Sequence, residues 1–199
     1  ERTVTFEGNS YQVSSIAKAD PDETIDVDVD APTDDDYNLH IYNADRAVMA
    51  SKSGTGGDSF QFTLDFYSAG TYAIVVEHDG VIETVHPLVV RGYAVSVDAP
   101  SEVAPNSTVN VTVDTSRLRG ESLETVQVEV ANDDSRVSET AEEESDSTYT
   151  ATIALDDLDS GDYGVYAIVQ GSDTAFGREE LLGLSDRGSL TIEAAESTT

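Results

Sequence analysis

The chain has no cysteine, no tryptophan and a single methionine, and its 199 residues include only ten lysines and arginines. Without cysteine there is neither a disulfide framework nor a thiolate metal site, so stability must come from a hydrophobic core. No run of about 18 apolar residues occurs, so no membrane span or direct membrane insertion is expected in this segment. The shortage of cations matters most. Forty acidic residues leave a formal charge of −30, a field that repels phosphate and anionic lipid and so excludes nucleic acid as a partner, while cations and cationic surfaces remain. Self-repulsion of this size loosens a compact chain, but at about 1 M salt the screening length is only ~3 Å and most of the penalty disappears. The composition therefore points to a saline habitat. Glu1 is not an initiator methionine, which suggests a mature or trimmed chain from which any signal peptide has been removed. The end, residues 194–199, turns small and polar, and reads either as the start of a stalk or as a frayed terminus.

Hydrophobic residues make up 38% of the chain and come in short β-branched runs such as 73–76 and 165–169, a pattern of strands and not of disorder. The length is about twice that of a single β-sandwich of roughly 100 residues. An internal repeat agrees with that. Pro21, Thr24, Ile25, Val27 and Val29 match Pro105, Thr108, Val109, Val111 and Val113 at a spacing of 84 residues, and Leu64, Gly70, Tyr72 and Ile74 match Leu155, Gly161, Tyr163 and Val165 at 91. Two copies of one fold follow, 1–91 and 92–199, with an insertion inside the second. Within each copy apolar residues alternate with polar ones, as in Ile25, Val27 and Val29 against Asp26, Asp28 and Asp30, the period of a half-buried strand. The junction around Gly92 holds no Pro/Ser/Gly-rich linker, so a stiff, elongated pair is expected.

The stretch Leu155, Leu158, Gly161, Tyr163, repeated as Leu64, Tyr67, Gly70, Tyr72, resembles the tyrosine corner of immunoglobulin-like and fibronectin-type modules. The paired cysteines and tryptophan of antibody domains are absent. Together with the acidity, the chain resembles the immunoglobulin-like modules of haloarchaeal cell-surface and secreted proteins. That resemblance implies an all-β fold of two tandem immunoglobulin-like (fibronectin-type-like) β-sandwich domains and an extracellular, often glycosylated setting. The expected role is a non-catalytic structural or adhesive module, with self-association or other cell-envelope proteins as partners. A ligand-binding module for carbohydrate or divalent cations, or the accessory part of a secreted hydrolase, stands beside it.

Few residues invite chemistry. Asp34, Asp35 and Asp36, near the alternating Asp26, Asp28 and Asp30, and separately Asp156, Asp157 and Asp159, could offer carboxylates to a weak calcium or other cation site; no other cofactor is expected. The EF-hand pattern fails because its glycine and glutamate positions hold Ala31 and Tyr37, and turn chemistry alone explains aspartate at such places. Gly54, Gly56 and Gly57 lack the lysine of a phosphate-binding loop. His40, His78 and His86 show no ligand spacing and no partner nucleophile, so no catalytic residue is named. Asn106 and Asn110 begin two N-glycosylation sequons. The segment 171–188 reads as a long loop with a short helical stretch at 178–184. Its Phe176, Leu181, Leu182 and Leu184 either cap the second sandwich or stay exposed and dock a partner.

Overall fold

The computed structural model describes residues 2–6, 9–13 and 15–195, and every regular element among them is a β-strand. The last four residues of the polar tail lie outside the described residues. The chain divides into two compact units. One comprises Glu1–Gly92, Arg119–Glu121 and Ser172–Leu182, and the other comprises Tyr93–Leu118, Ser122–Gly171 and Gly183–Thr199.

The first unit contains β1 (Arg2–Phe6), β2 (Asn9–Val13), β3 (Ala17–Ala19), β4 (Thr24–Val29), β5 (Asp36–Tyr42), β6 (Val48–Thr55), β7 (Asp58–Thr63), β8 (Gly70–His78) and β9 (Val81–Val90). Five of these form a sheet in the order β3-β9-β8-β5-β6; β4 pairs with β7, and β1 with β2. The pairs are antiparallel except β3 with β9, which run parallel. Alternation drives the layering. Leu39 and Ile41 on β5 and Phe60 and Phe62 on β7 are buried while their neighbours are exposed, and they meet Leu64, Tyr72 and Leu88 in one apolar cluster. Burial of each such side chain is worth about 1.5–3 kcal/mol.

β8 departs from alternation, being buried at every position from Gly70 to Val75. Its second face is covered too: Ala73 and Val75 join Val85, Phe6, Ala175 and Phe176 in a separate cluster. A strand enclosed on both sides reads as a continuous apolar run. Two residues, Asp79 at φ 49° and Gly80 at φ 78°, turn β8 into β9, which is the two-residue hairpin turn that matches strand twist.

The second unit repeats the arrangement with β10 (Tyr93–Asp98), β11 (Glu102–Val103), β12 (Thr108–Arg117), β13 (Thr125–Ala131), β14 (Arg136–Thr140), β15 (Glu142–Ser145), β16 (Thr148–Ala154), β17 (Gly161–Ala175) as far as Gly171, and β19 (Gly188–Ile192), while the end of β17 and most of β18 (Arg178–Leu184) belong to the first unit. The sheet orders are β10-β12-β16-β15 and β11-β19-β17-β13-β14, with β18 paired to β17. β11 runs parallel to β19 as β3 does to β9. The edge strand β15 is glutamate-rich and exposed throughout, which discourages pairing with foreign strands.

The repeat extends to single hydrogen bonds. The hydroxyls of Tyr72 and Tyr163 each donate to a backbone carbonyl four residues upstream, Ser68 at 2.9 Å and Asp159 at 3.0 Å. Asp22 and Asn106, 84 residues apart, both take the left-handed conformation, at φ 63° and 54°. Asp and Asn tolerate that conformation better than most residues. In the first unit Asp22 is gripped by both terminal nitrogens of Arg119. The Arg119 hydrogen bond holds its carboxyl below the usual range.

Residues 171–188 are not a loop, and 178–184 is not helical. The segment forms the end of β17, a two-residue turn and β18. Phe176 at φ 51° and Gly177 at φ 79° make the turn. Strand pairing to β17 thus overrides the helix propensity of Arg178, Glu179 and the leucines. Phenylalanine at positive φ is costly and persists where packing over-determines it, and Phe176 is buried in the cluster with Phe6, their ring centroids 5.9 Å apart.

Candidate functional site

The acidic residues that suggested cation binding do not converge. Asp34, Asp35 and Asp36 lie exposed in the turn before β5 and at its start. There the Asp36 carboxylate accepts from the Thr55 hydroxyl and its carbonyl from His78 Nδ1, while the Asp35 carbonyl accepts from the Gly56 amide. Asp156, Asp157 and Asp159 are exposed in the turn after β16, and Asp159 gives its carbonyl to Tyr163. Among the described residues no three His, Cys, Asp or Glu side chains group closely enough to hold a metal ion. Turn formation and strand termination account for these aspartates.

Gly54, Gly56 and Gly57 also serve packing and turning. A Cβ on Gly54 would lie 2.6 Å from the Phe60 ring and 2.7 Å from the Tyr37 hydroxyl, so glycine is what lets β6 pass over that edge-to-face ring pair. Asn106 is exposed in the turn before β12, and Asn110 is exposed on that strand. The Asn110 side-chain oxygen accepts from Thr152 at 3.0 Å.

Phe176 and Leu182 are buried and Leu181 and Leu184 half-buried, so no exposed apolar patch exists at these residues. Phe176 and Leu182 belong to the first unit's own packing. It is Phe176 that seals the cluster around Phe6, and it does not cap the sandwich of residues 93–199. In the same segment the Leu181 amide donates to Thr71 Oγ1 at 2.9 Å, and the Thr71 amide donates to Glu180 at 3.3 Å. Burial pushes the Glu180 carboxyl up, with the Thr71 amide working against it.

The feature that sequence reasoning missed is a groove of about 1100 Å³ in the first unit, between β4 and the β8–β9 face. Ile25, Val27, Val29, Ile74, Val76 and Leu88 form its apolar floor, with Asp26, Asp28, Asp30 and Glu83 among the acidic residues and Lys18, His78 and His86 among the basic ones. Its cause is visible by comparing the repeats. In the second unit β10 pairs with β12, and Val109, Val111 and Val113 are fully buried. In the first unit β4 pairs, among the described residues, with β7 alone, and the matching Ile25, Val27 and Val29 are half-buried. β12 runs on through Ser116, which pairs with Ala94. The position matching Ser116, 84 residues earlier, is Pro32, which has no amide to donate. Residues 9–13, the counterpart of β10, pair with β1 instead. A proline opposite a polar strand residue at repeat spacing was the available signal.

Two histidines line this groove with opposite tendencies. Burial lowers the His86 imidazole below its ordinary 6.5, while the Asp36 carbonyl, then Asp79, raises His78. The stability owed to neutral His86 is complete above 6.5 and is lost as pH falls through the depressed folded value. That owed to protonated His78 is complete below 6.5 and is lost as pH rises through the raised value. A proton NMR titration should place His86 below and His78 above the free imidazole. The reverse order would contradict this geometry.

Tyr37, also at the groove, is 4% exposed, and its hydroxyl has no hydrogen-bond partner. Desolvation, then the charge of Asp58, raises its phenol. Tyr37→Phe should leave stability unchanged or raise it by about 1 kcal/mol in urea denaturation. A loss of that size would mean that the hydroxyl is bonded.

No family model matches the chain, and no curated protein matches it. A solved structure of a tetra-tandem repeat in the extending region of a large adhesion protein is similar at 15% identity, over 89% of this chain and 49% of that one, with a TM-score of 0.38. The BSP domain of a biofilm-associated protein is similar at 14% identity, over 92% of this chain and 30% of that one, with a TM-score of 0.31. The chain spans about half the length of the first and under a third of the second. Superpositions this loose fix neither fold nor function.

Proposed function

We propose that the chain is a non-catalytic extracellular module, structural or adhesive, of a cell-surface protein from a salt-adapted organism, built as two tandem immunoglobulin-like sandwiches. The observation that carries this reading is the fidelity of the duplication: both copies keep the tyrosine-to-carbonyl bond and the left-handed turn residue, at Asp22 and Asn106. What has been preserved is framework, as expected of a repeat whose task is mechanical or presentational. The charge of −30 suits a surface bathed in salt, and the exposed Asn106 and Asn110 are available as glycan acceptors. An antiserum against the chain should label intact, unpermeabilised cells of the source organism, and beads coated with the protein should cluster or bind cell envelopes in molar salt. Labelling only after permeabilisation would overturn the surface assignment. Calorimetry with calcium in the same salt separates the rival: a saturable heat would favour a cation-binding module.

A further inference from the structure

The open edge of β4 is where the two repeats differ most in what they leave unsatisfied. In the second unit a strand lies along β12, and Val95 and Val97 of that strand are half-buried. In the first unit the corresponding place is the groove, with a strand edge that pairs with none of the described residues on one side and apolar side chains on its floor. The outward residues also differ. β12 presents Asn110, Thr112 and Asp114, whereas the same positions of β4 and its continuation are Asp26, Asp28 and Asp30. β7 does not balance those charges, because Asp26 stands opposite Gln61 and Asp28 opposite Ser59.

We propose that this edge accepts an extended peptide strand from another protein, one that alternates small apolar and basic residues. The strand would hydrogen-bond to the backbone of β4 and place its apolar side chains over Ile25, Val27 and Val29. Its lysines or arginines would stand beside Asp26 and Asp28. Successive outward carboxylates on a strand are about 6.7 Å apart, the spacing of alternate residues on any added strand, and directly opposed residues lie within about 5.5 Å. Main-chain bonds supply affinity and the alternate side chains supply selectivity, as in other cases of strand addition. The chain's own residues 9–13 are poorer occupants: in the register of β10 and β12 they run opposite Thr33 to Val29, so that only Val13 would pair within β4. The inference goes beyond the surface-module reading and does not depend on where the protein resides.

The test uses the full chain at the lowest salt in which its circular dichroism is fully folded, with a peptide of about seven residues alternating lysine and valine, a length typical of strands. Saturable binding is expected, with slowed amide exchange confined to residues 24–29. The same peptide with glutamate for lysine, or with alternate backbone nitrogens methylated, should not bind. Asp26→Asn with Asp28→Asn should weaken binding about tenfold without lowering the melting temperature. Equal binding of the methylated peptide, or protection away from β4, would reduce the effect to surface ion pairing and overturn the proposal. So would the absence of saturable binding, or a dimer in ultracentrifugation that protects 24–29 without peptide, since a second copy would then fill the groove.

Discussion

Phe176→Ala should destabilise the first unit by about 3–5 kcal/mol, the usual cost of emptying a phenylalanine site in a packed core. The ring is 8% exposed and sits with Phe6, Ala73, Val75, Ala175 and Val85, so its removal opens a cavity on the outer face of β8. At about 4–8 °C per kcal/mol for a domain of this size, the melting temperature of that unit falls by at least about 12 °C. Urea denaturation of the full chain, followed at the tyrosines, measures it. Tyr163→Phe provides a scale: it deletes only the bond to the Asp159 carbonyl, worth about 1 kcal/mol. If Phe176→Ala cost no more than Tyr163→Phe, the ring would not be core.

Lowering the salt should cost each unit somewhat less than losing that ring, but it acts on both units at once. Forty carboxylates face ten lysines and arginines, so at most a quarter can find a full cationic partner. Ion pairs such as Arg119 with Asp22 and Arg91 with Asp20 do not change that balance. Going from about 1 M to about 0.01 M salt lengthens the screening distance from ~3 Å to ~30 Å, so that carboxylates all over one unit repel each other. The melting temperature should drop by about 10 °C or more, equivalent to roughly 2 kcal/mol per unit, and an uncharged osmolyte should not replace the salt's screening. Identical melting temperatures at the two ionic strengths would remove the argument for a saline habitat.

Much of the fold was legible because burial on one face writes itself into the sequence with period two. Val109, Val111 and Val113 announce β12 in that way, and Thr125–Ala131 announces β13. β6 was not legible: it is a polar edge strand without a buried stripe, and only its pairing with β5 makes it a strand. The hairpin of β1 and β2 was missed as well. Its one clear signal lay elsewhere, in the unbroken apolar run from Tyr72 to Val76, which requires cover on both faces of β8. Phe176-Gly177 was overlooked because phenylalanine is a rare hairpin residue, whereas Asp79-Gly80 has the expected composition. The groove lies at the limit of sequence reading: it exists because a strand is missing from beside β4, and alternation within β4 is the same whether or not a neighbour is present.

The composition of the first unit also sets an order of events on the ribosome. Residues 1–92 emerge first, yet the cluster that covers β8 includes Ala175 and Phe176. Synthesis at about 5–20 residues per second puts on the order of ten seconds between Gly92 and Leu182. For that interval Phe6, Ala73, Val75 and Val85 wait without the aromatic ring that seals them. That face of β8 is therefore completed only when a segment made some ninety residues later folds back on it.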